Sequence, residues 1–228
     1  MDMYSEAIRA IETEYVRLGH TRDWRFLATP RQTLAAGSPV AFFTLNPGEG
    51  WIDPDHGRGS SEGGSAYVRE RWHGFPAGES PLQFQVRAMF EWLGLVPDQT
   101  LTAYFIPFRS RDYETLPSRS ESFAFAVRLW GKILTDVRPT LVVCLGVDVA
   151  RGLREIWGPP LSATRYQVGW GVVTASVSVY SDHRLLQLPH LRRFGIFGRP
   201  QSTNALSRIR EALGYPPAPA GLRPADLA

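Results

Sequence analysis

The sequence predicts an α/β fold, arranged as a three-layer α/β/α sandwich around a mostly parallel central sheet of about four strands. Short, almost continuously apolar runs of the kind found in strands buried on both faces alternate with segments whose apolar residues recur at helical spacing. Strands that alternate with helices are typical of parallel sheets with right-handed crossovers. The predicted strands are 39–45, 101–108, 140–145 and 185–188.

The helical segments have recognisable faces and ends. The first carries its apolar residues on one stripe and ends near Gly19. Ser80 and Gln83 form a capping box with Pro81 at the first helical position. Further helices are predicted over 123–137, 149–156 and 205–213, with at most a short one in 66–72. Segment 164–180 is interpreted as additional extended structure that could turn as a hairpin at 169–171.

Length and composition favour one domain over residues 1–214. Hydrophobic residues make up 43% of the chain and charged residues 21%, which are ordinary values for a globular protein. The segment 215–228 is rich in proline and has little to bury, so we expect it to be disordered. The protein is expected to be a monomer.

Several classes of protein are disfavoured by composition. No apolar run approaches the roughly 20 residues that cross a bilayer, and the first nine residues lack an apolar signal core, so we expect a cytoplasmic protein without a membrane partner. Cys144 is the only cysteine, which excludes an internal disulfide, a zinc ribbon and a cysteine-ligated iron–sulfur cluster.

Charge leaves nucleic acid open as a partner without demanding it. The formal net charge is only +3, and Lys132 is the only lysine among 25 basic residues. Codon bias in a GC-rich bacterial genome accounts for such a preference for arginine, although the planar guanidinium also suits contacts with phosphates and bases.

Two loops attract attention because each follows a predicted strand. A long, glycine-rich connection runs from Asn46 to Ser80, and long structured loops are usually functional. His190 follows the last predicted strand. Ligands of open α/β sheets bind at the carboxyl ends of the strands, so we expect Asn46 and His190 to face one cleft.

Common cofactor motifs do not fit the first loop. Gly48 and Gly50 follow a strand, but Asp53 replaces the third glycine of the dinucleotide fingerprint, and prolines deny the loop an immediate helix. The phosphate-binding Walker pattern and the nucleophile-elbow serine are absent. The polar residues Asp53, Asp55 and His56 could ligate a metal, but solvated side chains are the better interpretation, so no cofactor and no metal are predicted.

The second loop combines cations with aromatic rings. His190 is followed by Arg192, Arg193 and Phe194, and then by Phe197 in a glycine-punctuated stretch. A lone histidine at a strand end commonly bonds a backbone carbonyl. Arginines and aromatic rings in such a loop, however, are typical of proteins that contact a nucleic-acid backbone and wedge the base stack.

Taken together, the two loops resemble the motifs of the uracil-DNA glycosylase superfamily. The single-strand-selective and mismatch-specific branches carry Asn-Pro-Gly after the first strand, matched here by Asn46-Pro47-Gly48. Their second motif begins with a histidine and continues through Phe-Gly to Thr-Asn, matched by His190, Phe197-Gly198 and Thr203-Asn204. Ile106-Pro107-Phe108-Arg109 and Arg138-Pro139 are intermediate landmarks. The likeness spans about residues 39 to 213.

This resemblance implies a DNA glycosylase that removes uracil or a related damaged base. Such enzymes flip the nucleotide out of the duplex and hydrolyse its N-glycosidic bond. By similarity, Asn46 would orient the attacking water and His190 would donate to the uracil oxygen. Pro47 and Gly48 would contact the base, and Trp51, Tyr67 or Phe75 would stack on it. The DNA contacts implied by the resemblance are Arg109, Arg192, Arg193 and Phe194.

The chain departs from the superfamily pattern at several positions. Thr44 stands where the family has a glycine before Asn-Pro-Gly, the family's His-Pro-Ser is His190-Leu191-Arg192 here, and a third departure leaves alternatives open. The superfamily reads uracil with an asparagine at the end of the second strand, where this chain has Tyr104. A phenol cannot match both the donor and the acceptor of the uracil edge, so base choice could be altered or catalysis lost. The alternatives are a nucleic-acid-binding member of the fold that does not cut, and an unrelated small-molecule enzyme that uses the same crevice.

Overall fold

A computed structural model describes residues 2–49 and 57–216 and has the predicted mixed α/β class. Six α-helices and six strands account for its regular structure. The helices are α1 (Met3–Arg17), α2 (Ala66–Arg69), α3 (Pro81–Leu93), α4 (Arg119–Val137), α5 (Val147–Trp157) and α6 (Thr203–Ala212). The strands are β1 (Val40–Thr44), β2 (Leu101–Tyr104), β3 (Leu141–Leu145), β4 (Ser162–Trp170), β5 (Val173–Val179) and β6 (Arg184–Leu188).

All six strands belong to one sheet with the order β2-β1-β3-β6-β5-β4. The four strands predicted from apolar runs are β1, β2, β3 and β6, and they form its parallel part. The prediction of about four strands was too low, because β4 and β5 form an antiparallel hairpin and β5 pairs with β6. The alternating exposure of β4 is that of an edge strand, which lacks the continuous apolar run of a buried one.

The second strand is shorter than its apolar run suggests. β2 ends at Tyr104, opposite Thr44 of β1. The next two residues still donate to β1, through Phe105 N to Thr44 O at 2.8 Å and Ile106 N to Leu45 O at 2.7 Å. Pro107 then offers no N–H to the ladder, and the chain leaves the sheet.

Successive residues of the parallel strands pack into two hydrophobic clusters on opposite faces of the sheet. Phe43 packs with Trp130 of α4 in a cluster that also receives α1 and α5. Phe42 packs edge-on to Tyr67 and Phe90 in a cluster that receives α2, α3 and α6. Fully burying each such side chain contributes about 1.5–3 kcal/mol, so both faces of the sheet are strongly covered.

Local signals in the sequence place the helix ends well. The predicted capping box is present, since Gln83 N donates to Ser80 Oγ and Ser80 N donates to Gln83 Oε1. The first helix ends where Gly19 adopts a φ of 67°, a conformation that glycine adopts at little cost. No helix among the described residues is long and apolar enough to span a membrane.

The first residues of the proline-rich tail pack against the fold. Tyr215 packs against the cluster around α3 and α6, and its N–H donates to Arg210 O at 3.0 Å. Arg210 in turn donates to Pro216 O. The apolar ring of Tyr215 explains this, because it finds a partly buried site beside α6. The remaining tail, 217–228, lies outside the described residues.

Candidate active site

A cavity of about 460 Å³ opens at the carboxyl ends of the parallel strands. It is lined by residues that follow or end each of these strands, among them Asn46 after β1, Tyr104 of β2, Leu145 of β3 and His190 after β6. The chain passes from β1 to β2 on one side and then returns to β3 on the other side of β1. The cavity therefore lies at a topological switch point, which is the usual ligand crevice of an open α/β sheet.

Asn46 and His190 line this one cavity, as the sequence predicted, although their strands are not neighbours. β3 lies between β1 and β6 in the sheet. Adjacent strands are spaced by about 4.8 Å, so the axes of β1 and β6 are about 10 Å apart. The intervening strand leaves room for a ligand between the two side chains.

The carboxamide of Asn46 is held in one orientation by Ser110. Its Nδ2 donates to Ser110 Oγ at 2.8 Å and to Ser110 O at 3.3 Å. The serine hydroxyl already donates to Asp112 O at 2.6 Å, so both atoms of Ser110 can only accept from Asn46. The amide nitrogen must face Ser110, and Oδ1 remains without a donor from the described chain. It can accept a hydrogen bond from water.

Arg109, which was predicted to contact DNA, holds the Asn46 loop. Its side chain is buried, with 5% of the residue exposed, and Nη1 donates to Gly48 O at 2.9 Å. This burial places Arg109 inside the cavity, and its contact with DNA stays a prediction. The apolar and aromatic walls of the cavity bury this side chain. At the rim of the cavity the exposed arginine is Arg111.

The guanidinium of Arg109 is an unusual buried cation. Within the described part of the chain, its Nε and Nη2 are buried without a hydrogen-bond partner, and no carboxylate pairs with it. Desolvation lowers its pKa, and the positive charge of nearby Arg25 lowers it further. Perturbed ionisable groups that line a cleft are typical of functional sites.

Arg25 also lines the cavity, but a carboxylate balances its positive charge. Its Nη2 and Nη1 contact Glu70 Oε1 and Oε2 at 2.6 Å and 3.1 Å, and both side chains are 4% exposed. Trp72, which borders the cavity as well, donates from Nε1 to Glu70 Oε2 at 2.6 Å. Neither Arg25 nor Trp72 was predicted from the sequence, because no local pattern marks a buried ion pair between residues 45 positions apart.

His190 stands on the opposite side of the cavity from Asn46, at the start of the second loop. Its carbonyl oxygen accepts from Arg193 N and Phe194 N, both at 2.9 Å, which turns the loop sharply. His190 is exposed at the border of the cavity, and partial desolvation there lowers the pKa of the imidazole from its ordinary value of 6.5. Its own backbone acts in the opposite sense, and Arg192 and Arg193 lower the pKa further. His190 is therefore neutral at pH 7, with one N–H to donate.

The three aromatic rings predicted to stack on the base do not all lie at the cavity. Tyr67 lines the cavity, but it is 1% exposed and packs edge-on against Phe42 and Trp72. Burial raises the pKa of its phenol, which donates to Thr44 Oγ1. Phe75 is 42% exposed and does not line the cavity. Trp51 lies outside the described residues.

The end of β2 presents Tyr104 to the cavity. This residue is 5% exposed, and it is the last residue of its strand, where the superfamily resemblance expects asparagine. Pro47 also lines the cavity and is buried, whereas Gly48 lies at its exposed border. The predicted base-contacting residues other than Phe75 and Trp51 are thus brought together.

The predicted DNA-contacting residues of the second loop lie on the surface. Arg192 and Arg193 are exposed, and among the described residues neither forms an ion pair. Arg192 borders the cavity. The guanidinium of Arg193 lies 5.2 Å from the ring centre of Phe194, which contacts Trp170 edge-on at 5.9 Å.

No group of three or more His, Cys, Asp or Glu side chains in the described ranges could hold a metal ion. The loop residues Asp53, Asp55 and His56, which could have ligated one, lie outside those ranges. The lining of the cavity combines hydrogen-bond donors, cations and aromatic rings with two carboxylates, Asp112 and Glu114.

No known protein-family model matches this chain, and no curated protein matches it at a significant level. Its function must accordingly be inferred from the arrangement of the cavity itself.

Proposed function

We propose that this protein is a DNA glycosylase that excises uracil or a related damaged base by hydrolysis of the N-glycosidic bond. One observation carries the proposal. An asparagine with a fixed carboxamide and a neutral histidine line the same cavity, at the switch point of a parallel sheet. The three-layer sandwich and the monomeric state expected from the sequence belong to this proposal, and the two-sided packing of the sheet supports the former.

The proposed reaction replaces one bond to the sugar by another. The bond between C1′ and the base nitrogen breaks, and its electron pair leaves with the base. A water oxygen then bonds to C1′, and the proton it releases neutralises the departing base. Asn46 Oδ1 accepts a hydrogen bond from this water and so aims its lone pair at C1′. An amide is no general base, so Asn46 contributes by orientation.

His190 acts on the departing base. As the base leaves, negative charge grows on its carbonyl oxygen, and the N–H of a neutral imidazole can donate to that oxygen. A preorganised donor of this kind is typically worth about 10²–10³ in rate. Ser110 and the sharp turn after His190 support such preorganisation, because each limits how far its neighbour can move.

The entrance to the cavity suits a nucleic-acid backbone. Arg111 and Arg192 border it, and Arg193 follows Arg192 in sequence. Asp112 and Glu114 are also on the border, so the basic character is concentrated on the side of the second loop. Exposed arginines without carboxylate partners are free to neutralise phosphates.

A direct test uses oligonucleotides that contain uracil, single-stranded and paired with each normal base. The protein is incubated with each substrate, and alkali then cleaves the abasic sites. The Asn46→Ala/His190→Ala double variant, purified in parallel, controls for contaminating glycosylases. Cleavage by the wild type alone supports the proposal. No cleavage of uracil or of a panel of other damaged bases would refute it.

A second candidate function is nucleic-acid binding without cleavage, and Tyr104 is the observation that favours it. A phenol at the end of β2 cannot satisfy both groups on the pairing edge of uracil. This candidate predicts duplex binding that weakens with salt and no abasic sites with any base. A small-molecule enzyme would show neither property.

A further inference from the structure

The hairpin formed by β4 and β5 turns beside the second loop of the cavity. β5 runs antiparallel to β6, with Ser176 opposite Gln187. Continuing this register by three residues brings Val173 to the level of His190. The turn that connects the strands, residues 171–172, therefore projects at the cavity end of the sheet. The superfamily resemblance assigns it no role.

Several contacts fasten this turn to the second loop. Trp170 Nε1 donates to Gly195 O at 2.9 Å, and Arg199 donates to Gly169 O from Nε at 3.2 Å and from Nη2 at 3.1 Å. The Arg199 guanidinium also lies 4.1 Å from the ring centre of Trp170. The turn and the loop thus form one surface.

Close packing below the turn makes this attachment specific. Gly169 has a φ of 79°, and a Cβ at this position would meet Gln201 O at 2.7 Å. Ser202 Oγ donates to Val168 O at 2.6 Å. Only glycine allows the hairpin to approach the segment before α6 so closely, so the position of the turn is fixed by its packing.

The tip of the turn exposes apolar side chains on this surface. Val172 is 92% exposed, the highest fraction among the exposed large hydrophobic residues, and Trp170 is 37% exposed. A single exposed valine needs no explanation by itself. Here it stands at the end of a well-anchored hairpin, two residues after Trp170, whose ring contacts that of Phe194.

The surroundings of the tip are strongly basic. Residues 161–210 contain seven arginines and one acidic residue, Asp182, which lies in the turn before β6 at the other end of the sheet. Six of the arginines are exposed or half-exposed, and among the described residues none of the six forms an ion pair. Arg184 begins β6, at the same end of the sheet as Asp182, which leaves five others. They are Arg165, Arg192, Arg193, Arg199 and Arg208.

We propose that the β4–β5 turn is a second contact with duplex DNA, in which Val172 enters a groove while the neighbouring arginines bind phosphates. Apolar side chains flanked by arginines are the combination that minor-groove proteins insert between base steps. The inference rests on the proposed DNA partner, but it does not depend on catalysis. The geometry favours DNA over an acidic protein because the cations flank a protruding apolar tip and do not surround a pocket.

Binding of a short undamaged duplex tests the proposal without any need for excision. Val172→Asp places a negative charge on the tip, and Leu161→Asp is the matched control. Leu161 is 76% exposed and precedes β4, at the opposite end of the same hairpin. We expect Val172→Asp to weaken binding about fivefold at low salt, the change expected for a charge placed about 4 Å from a phosphate in water. Leu161→Asp should leave the affinity unchanged.

Site-specific crosslinking gives an independent measurement. Cys144 is fully buried, and burial raises the pKa of its thiol, so a cysteine introduced by Val172→Cys is the reactive one. A thiol-attached photocrosslinker at this position should couple to the duplex, and the same label on Leu161→Cys should not. Both variants should melt at the wild-type temperature, since both positions are exposed.

The outcomes separate this inference from the proposed function. Duplex binding that is equal in Val172→Asp and Leu161→Asp, with equal crosslinking, would overturn the second contact and leave the glycosylase proposal intact. A wild-type protein that binds no DNA even at low salt would overturn both.

Discussion

The two loops that form the cavity are held in opposite ways. The Asn46 loop is fixed from inside, because Ser110 and Arg109, both at most 5% exposed, bond Asn46 and Gly48. The His190 loop is turned by its own backbone and fastened to the β4–β5 hairpin, and it exposes Arg192 and Arg193 to solvent.

This difference indicates a division of labour. A side chain oriented by buried hydrogen bonds keeps its geometry when a ligand arrives, which suits a group that acts in the transition state. Exposed arginines without ion-pair partners stay in solvent and neutralise phosphates at the surface, with release of counterions. Substitutions in the first loop should therefore change the rate of chemistry, whereas the arginines of the second loop should change affinity and its dependence on salt.

The largest effect is expected at the two side chains that contact the reacting groups. Asn46→Ala and His190→Ala should each lower the single-turnover excision rate at least tenfold, with little change in DNA affinity, because both act mainly in the transition state. Gln99→Ala, which removes an exposed amide before β2 at the far edge of the sheet, is the control for Asn46→Ala. Unchanged excision by either variant would remove that residue from the mechanism.

A smaller loss of excision rate is expected when a hydrogen bond that orients Asn46 is removed. Ser110→Ala deletes one hydrogen bond to Nδ2, worth about 1 kcal/mol, so the single-turnover rate should fall roughly fivefold with the affinity for DNA unchanged. Ser178→Ala is the matched control, since Ser178 is also buried and its hydroxyl has no partner in the described chain. A loss of affinity in place of rate would contradict a positioning role for Ser110.

Substitutions in the second loop should change how the affinity for DNA depends on salt concentration. Replacing Arg192 and Arg193 together by alanine should flatten the slope of log K against log salt by roughly one to two units, given about 0.9 per phosphate contact. The loss should be equal for uracil-containing and normal DNA, because phosphate contacts do not read bases. The control removes two exposed arginines elsewhere, Arg9 and Arg128. Equal slopes in the Arg192/Arg193 variant and the wild type would show that this loop does not contact the DNA.

The smallest effect concerns the titration of His190. Arg192 and Arg193 disfavour the imidazolium, so their replacement by alanine should raise the pKa of His190 towards 6.5. Desolvation is the larger cause and persists, so the pKa should stay below that value, with more imidazolium at pH 6 than in the wild type. NMR titration measures this, and the spectrum of His190→Gln assigns the resonance. A pKa that falls in the double variant would show that the arginines do not act on the ring.

Much of the fold could be predicted because its signals are local. The capping box at Ser80, the turn at Gly19 and the four apolar runs each depend on residues within a few positions of one another. The part of the site that depends on such local signals was also predicted. Asn46 and His190 were assigned to one cleft because each follows a parallel strand.

Contacts between distant residues could not be predicted in the same way. Ser110 lies 64 positions from Asn46, and Glu70 lies 45 positions from Arg25. Nothing within either local sequence marks the partner. For the same reason Arg109 was assigned to the surface, although its neighbours in space bury it.

The sequence by itself determined the alternation of strands and helices, the helix ends and the carboxyl-end position of both loops, because periodicity and capping are short-range properties of the chain. Only the tertiary structure decided that β3 separates the two loops, that Ser110 orients Asn46, and that the hairpin brings Trp170 beside the His190 loop. Strand order and burial depend on which distant surfaces pack best together, and that selection is made over the whole chain at once.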